Sequence, residues 1–290
     1  PDEQIDSSDR LLVIRRERKA TEPGVIGRAP RRRRSVRRVL VLGWNRKAPT
    51  MLAELHARLG DAAKVVVISP RTVATRVRAV VEDGVVLPEH FVEHRTADYT
   101  AAGAISVDEL AAFDGVLLVA SDALASGQDA DAKSMAALLW LARHLPADHR
   151  ATVLVELADP SNVELVQPWA DEVLVSSHLV ARLLGQVVLR RELNAAIADL
   201  LGGGGSDLRV VAAWELGLGG ACVYRDVVTR VGETGCIALG LCIGSETGPR
   251  LLPEHDETFD LHASDGIVLL GQQPTGQQAR AATHREGDET

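Results

Sequence analysis

The sequence predicts a doubly wound α/β fold: a parallel sheet covered by helices, then a long crossover helix, then a smaller β-rich unit. Three observations carry this. The stretch Arg38-Val39-Leu40-Val41-Leu42-Gly43-Trp44-Asn45 has four consecutive β-favouring apolar residues ending in glycine and a polar turn. A run apolar on both faces suits a parallel strand with helices on each side. Between 36 and 176 such strands alternate with helical patterns, and this rhythm implies right-handed crossovers. Finally, Gly202 to Gly205 follow a long helical pattern, and four glycines make a hinge between units.

Taken in order, strand one ends at Gly43, and Thr50 to Leu59 makes an amphipathic helix on Met51, Leu52, Leu55 and Leu59. Lys64 to Ile68 is strand two, Arg71 to Val81 a helix, and Phe91 to His94 a short strand three. Ser106 to Phe113 is a short helix whose Ser106 and Glu109 have capping-box spacing. Gly115 to Ala120 is strand four, Ala130 to His144 an apolar helix, and Thr152 to Leu157 strand five. A helix over 162–169 starts at Pro160, and Glu172 to Ser176 is strand six. His178 to Leu201 then reads as one long helix with more Leu and Val than one face of a monomer needs, so it is expected to pack on a partner. Beyond the glycines, strands are expected at 209–213, 236–242 and 266–270, with a helix near 224–230.

The divisions that follow are 1–16, a tail strand; 17–35, an Arg-rich linker; 36–176, the sheet domain; 177–205, crossover helix and hinge; 206–272, the β-rich lobe; and 273–290, a disordered tail. The tail strand rests on an echo: Ser8-Asp9-Arg10-Leu11-Leu12-Val13-Ile14 matches Ser264-Asp265-Gly266-Ile267-Val268-Leu269-Leu270 in residue type. The first is thus expected to close a preceding copy of the same domain. Arg31 to Arg34, Arg37 and Arg38 form a basic run that reads as a solvated linker, with an acidic partner or anionic lipid as alternatives.

Composition narrows the function. Of 290 residues, 46% are apolar and 25% charged, as in ordinary globular proteins, and aromatics at 3% leave the core to Val, Leu, Ile and Ala. A net charge of −8 argues against nucleic acid as a partner. Cys222, Cys236 and Cys242 have no metal-type spacing and read as free thiols. No apolar run approaches the ~20 residues that span a bilayer.

In a doubly wound sheet, ligands bind at the carboxyl ends of the strands. A dinucleotide site wants G-x-G-x-x-G after strand one and an acid closing strand two. Here the frame reads Gly43-x-Asn45-x-x-Ala48, and strand two closes on Ser69-Pro70, so NAD is not expected. The ligand crevice is assigned to Gly43, Trp44, Asn45, Ser69, Ser121 and Asp122, with Asp98, Glu156 and Asp159 also at strand ends. Carboxylates there suit a hard cation, and Asp122, Asp129 and Asp131 are the metal candidates. For Asp129 and Asp131 the competing role is helix N-terminal stabilisation, ~0.3–1 kcal/mol each. No nucleophile elbow, phosphate loop or zincin histidine pair is present, so no catalytic residue is assigned and the chain is not read as an enzyme.

The segments Leu42-Gly43-Trp44-Asn45-Arg46, Ala120-Ser121-Asp122, Asp129 to Ser134 and Glu156-Leu-Ala-Asp159-Pro-Ser-Asn162 resemble Castor/Pollux-type cation channels, whose soluble part carries tandem RCK domains, regulators of potassium conductance. Trp214-Glu215-Leu216 and Tyr224-Arg-Asp-Val-Val resemble the lobe that follows the long helix in that family. The resemblance covers about 36–272 and best matches the second RCK copy. It implies a Rossmann-like RCK N-lobe and a β-rich C-lobe. Its partners would be a preceding RCK copy and pore helices of the same chain, in a tetrameric ring at the cytoplasmic face of the membrane. It also implies calcium as a ligand, with Asp122, Asp129 and Asp131 the positions to test. The expected function is a gating-ring module that senses a ligand. The alternatives are an NAD-dependent oxidoreductase, opposed by Asn45 and Ser69, and a soluble regulator of potassium uptake.

Overall fold

A computed structural model describes residues 36–101, 103–145, 149, 151–201, 207–244 and 248–271. The expected tail strand, most of the basic run, the tetraglycine and the C-terminal tail lie outside the described residues. The chain divides into two compact units, whose described parts are 36–207 and 208–271.

The first unit is built on six strands: β1 (Arg38–Leu42), β2 (Lys64–Ser69), β3 (Val92–Thr96), β4 (Gly115–Leu118), β5 (Thr152–Leu157) and β6 (Glu172–Val175). They pair in parallel in the order β3-β2-β1-β4-β5-β6, so the order reverses between β1 and β4. The helices are α1 (Ala48–Leu59), α2 (Val73–Glu82), α3 (Val107–Leu110), α4 (Gly127–His144) and α5 (Val163–Val166). Because side chains alternate across a strand, Leu40, Leu42, Val66 and Ile68 enter one core with Leu138 and Leu141 of α4. Val39, Val41, Val65 and Val67 enter another with Ala48 and Leu52 of α1. Strands buried on both faces are therefore what the unbroken apolar runs specified.

Caps set the helix starts. Thr72 accepts the Thr75 N–H at 3.3 Å to start α2, and Ser106 accepts the Glu109 N–H at 3.2 Å to start α3. The Glu109 carboxylate does not close a capping box; it grips Arg95 through Nη1 and Nη2 at 2.9 and 2.6 Å. Ser126 accepts the Asp129 N–H at 3.1 Å, which begins α4 three residues before the expected Ala130. The expected helix over 162–169 is a 3₁₀ turn (Pro160–Asn162) and the single turn of α5.

The single long helix expected from His178 to Leu201 is corrected to two, α6 (Ser176–Leu189) and α7 (Leu193–Leu201), because Arg190 is extended (φ −143°) and the polar Arg190-Arg191-Glu192 interrupts the apolar period. No residue of α6 is buried, and Leu184 and Val188 are 65% and 80% exposed.

The second unit contains β7 (Asp207–Ala212), a 3₁₀ turn (Ala213–Leu216), β8 (Gly220–Val223), α8 (Tyr224–Gly232), β9 (Ile237–Cys242), β10 (Arg250–Leu251), β11 (Thr258–Leu261) and β12 (Gly266–Gly271). One sheet runs β10-β9-β12-β7, and β11 pairs antiparallel with β8. Tyr224, Val227 and Val231 of α8 pack on Leu241, Ile267 and Leu269. The short strands β8, β10 and β11 were not expected, since glycine and charge break their alternation. All three cysteines are free thiols.

Candidate functional site

The order reversal between β1 and β4 opens a crevice of about 440 Å³ at the carboxyl ends of the strands, where ligands bind in this fold class. Asn45, Lys47, Asp122, Ser126, Glu156 and Ser176 are among the residues that line it. Gly43 makes the turn that leads there. Its φ is +105°, and a Cβ would stand 2.3 Å from the Val119 carbonyl oxygen. Only glycine fits.

Asn45 then ties three segments together. Its Oδ1 accepts the Lys47 N–H at 2.9 Å, while Nδ2 donates to the Ala120 carbonyl at 2.9 Å and to Glu156 Oε2 at 3.1 Å. The amide therefore fills, with a side chain that ties the loops together, the space that a second glycine leaves open in a dinucleotide turn. Glu156, 6% exposed, is the floor of the crevice. Its Oε2 also accepts the Ala120 N–H at 3.3 Å, and its Oε1 accepts the Ser176 hydroxyl at 2.7 Å and the Lys47 ammonium. Lys47 Nζ in turn donates to Ser176 Oγ at 3.0 Å. The Ser176 hydroxyl proton points to a carboxylate, and its lone pair receives an ammonium, so the trio holds charge in balance and presents no activated nucleophile.

A second ion pair crosses the rim. Asp122 accepts the Arg46 N–H at 2.9 Å through Oδ2 and the Arg71 guanidinium at 2.8 Å through Oδ1. Arg46 Nε lies 3.8 Å from the same carboxylate.

The structure separates the residues assigned to the crevice. Asn45, Ser121 and Asp122 line it. Trp44 does not: it is 3% exposed, packed in the core with Ala48 and Leu52, with its ring edge-on to His94 at 6.0 Å. Ser69 is buried, and its Oγ accepts the Arg71 N–H at 3.3 Å. Asp98 is held by Thr100 and Lys133, which keep its carboxyl below the usual range. Tyr99 beside it is pushed up to about 12 by burial and by the Asp98 charge.

The three metal candidates do not converge. Residues two apart on a helix do not face each other, and Asp129 spends its Oδ2 on the Ser126 hydroxyl at 2.8 Å. Asp131, fully buried, accepts the N–H groups of Ala158 and Asp159 at 2.7 and 3.0 Å and Asn162 Nδ2 at 2.8 Å. Asp122 is committed to Arg46 and Arg71. Among the described residues no three His, Cys, Asp or Glu side chains are grouped to hold a metal. Calcium takes six to eight oxygens, and these residues do not fit it.

Lys47, Arg71 and Ser176 were missed at the sequence level, and Glu156 went no further than a strand-end candidate. One signal was available. Glu156 is the only charged residue in Val153-Leu154-Val155-Glu156-Leu157, and a carboxylate inside a buried strand requires hydrogen-bonding partners.

No family model and no curated protein matches the sequence. Solved structures do match. The human SLO3 gating ring superimposes with a TM-score of 0.60 at 12% identity, over 89% of this chain and 50% of that one. Over that span this chain shares the fold of the SLO3 gating-ring chain. It spans half the length of the SLO3 chain it matches. The TrkA-N domain of the inner membrane protein YbaL from Escherichia coli matches 52% of this chain and 96% of its own, at 16% identity and a TM-score of 0.38. The GsuK channel matches 86% of this chain and 38% of its own, at 12% identity and a TM-score of 0.39. Among the described residues, no helix of this chain is long and apolar enough to cross a membrane.

Proposed function

We propose that this chain is a non-catalytic, ligand-sensing RCK module of a Castor/Pollux-like cation channel, acting on a pore that belongs to the same full-length protein. The observation that carries the reading is the SLO3 gating-ring fold over 89% of the chain. Two others support it. The crevice holds paired charges and no activated nucleophile. The helix α6 presents Leu179, Val180, Leu184, Val188 and Leu189 as exposed residues, a surface suited to a second copy in a tetrameric ring at the cytoplasmic face of the membrane.

In this mechanism a ligand at the strand ends alters the β1–α1 and β4–α4 loops, and the crossover helices carry the change toward the pore. Taking a gate from 1:99 to 99:1 requires about 5.5 kcal/mol of differential binding. Over four subunits that is roughly 1.4 kcal/mol each, a tenfold preference per site. A weakly selective ligand suffices.

The test is sedimentation of the chain against the variant Leu184→Asp/Val188→Asp. Self-association that the variant abolishes, with its far-UV circular dichroism unchanged, is the expected result. A chain that sediments as a monomer at every concentration overturns the ring.

A further inference from the structure

The main sheet of the second unit runs β10-β9-β12-β7, so among the described residues β10 and β7 are its edges. The two edges are unlike. β10 is only Arg250–Leu251, too short to offer much of a free ladder. β7 is six residues long, and its run Leu208 to Ala212 contains neither proline nor glycine. Leu208 is 56% exposed. Arg209 does not guard this edge, since its Nη2 reaches back to Cys236 Sγ, 3.6 Å away in the core under α8. A long apolar edge presents a row of free N–H and C=O groups, which native folds shorten, charge, interrupt with proline or cover. β10 is managed by its length, and β7 requires a cover.

The strand that β7 already pairs with shows what that cover is. Its neighbour is β12, entered through Ser264-Asp265. Residues 8–14, outside the described residues, repeat Ser264 to Leu270 in residue type at every position but one. The exception is informative: Arg10 stands where β12 has Gly266, which is buried inside the sheet. Arginine there suits a strand at an edge, where charge is an advantage. Leu11 to Ile14 supply the apolar centre, and Arg15 and Arg16 close the segment with charge at its other end. The roughly 20 residues from Arg15 to Ser35 reach up to ~70 Å when extended, so the link to β1 leaves the segment free to reach β7.

We propose that the free edge of β7 is a docking site for residues 8–14 of the same chain, which add a fifth strand to this sheet. Main-chain hydrogen bonds supply the affinity of such strand addition, and alternate side chains supply its register. The pairing fixes the far end of the Arg-rich linker to the second unit. That unit then has two covalent routes to the sheet domain, one through the linker and one through Gly202 to Gly205. The inference needs no ligand and stands apart from the sensing role.

Amide hydrogen exchange of the full chain, read by mass spectrometry over Leu208 to Ala212, tests this. Leu12→Pro removes a ladder donor from the middle of the segment. It is expected to speed exchange in β7 at least ~10-fold and to leave β1 and β9 unchanged. A synthetic peptide of residues 6–16, added in excess to that variant, restores the protection, and the same peptide carrying Leu12→Pro does not. Should the proline variant fail to fold, Leu12→Asp replaces it and is read in the same way. Protection of β7 that survives both substitutions overturns the proposal, as does a β7 that exchanges freely in the unaltered chain. Protection that falls on dilution overturns it too, because the cover then comes from a second copy. None of these results bears on the sedimentation test, which reads substitutions on α6.

Discussion

Asp131 gives the sharpest test of how this domain spends its carboxylates. It is completely buried, and its two oxygens accept the N–H groups of Ala158 and Asp159 and the side-chain amide of Asn162. Removing the acceptor in Asp131→Ala orphans two main-chain amides, and an unsatisfied buried donor costs ~1–3 kcal/mol. The total loss is therefore about 4 kcal/mol, which at ~2–4 °C per kcal/mol lowers the melting temperature by ~8–16 °C. Asp131→Asn keeps the shape but turns one donor against another, for about half that cost. The assay is urea unfolding followed by circular dichroism and tryptophan fluorescence, with and without calcium. Calcium is expected to move neither the unaltered chain nor the variants. Two results refute the reasoning: a loss in Asp131→Ala below ~0.5 kcal/mol, or a calcium stabilisation of the unaltered chain that Asp131→Ala removes.

Three further outcomes follow from the same geometry. Gly43→Ala places a methyl against the Val119 carbonyl at a left-handed φ, and is expected to lose ~3 kcal/mol or more in the same unfolding assay. His94 is held down to about 4 from 6.5, first by burial and then by the Arg76 charge. The unfolded chain therefore binds the proton first, so its contribution is whole above pH 6.5 and is lost as pH falls toward 4. After allowance for partial solvent access this amounts to roughly 2 kcal/mol, and His94→Leu should flatten that limb of the pH–stability curve. Arg76 is fully buried and donates to the Val67 and Arg95 carbonyls at 3.0 and 2.9 Å, while burial lowers its pKa. Arg76→Met, which keeps the stem and removes the desolvated charge, should stay within ~1 kcal/mol of the unaltered chain, where Arg76→Ala loses ~3 kcal/mol to the cavity. Met at this position should also raise the His94 pKa, read by NMR titration.

The sheet was legible because its strands are buried on both faces, and burial on both faces leaves a run such as Val65-Val66-Val67-Ile68 with no polar interruption. Where burial is one-sided and elements are short, as in Gly220–Val223 and Arg250–Leu251, pairing with a distant strand decides and the local pattern is silent. The site divides similarly. Gly43 and Asn45 were readable as a turn that departs from the dinucleotide pattern. Lys47 and Glu156 meet across 109 positions, and nothing local to either specifies the other. The three aspartates taken from strand ends and from the family resemblance stand in different surroundings, because a helix sends positions 129 and 131 to different faces, one to solvent and one to the core.

The charge pairing also constrains how any ligand acts here. Lys47 is tied to Glu156 and Arg71 to Asp122; the first pair joins the β1–α1 turn to the end of β5, and the second joins the loops that follow β2 and β4. A ligand that brings an anion must take a cation from one of these carboxylates, and a carboxylate left buried without its partner costs ~3–5 kcal/mol. Glu156, with three further donors around it, tolerates the loss of Lys47 better than an isolated carboxylate would. Asp122 is partly solvated, so it tolerates release by turning to water. The rim pair is therefore the one that opens first, and the floor pair holds the β1, β4 and β5 ends in register while it does. In the sensing role proposed above, binding energy is in this way delivered to the β2 and β4 loops and not to the sheet.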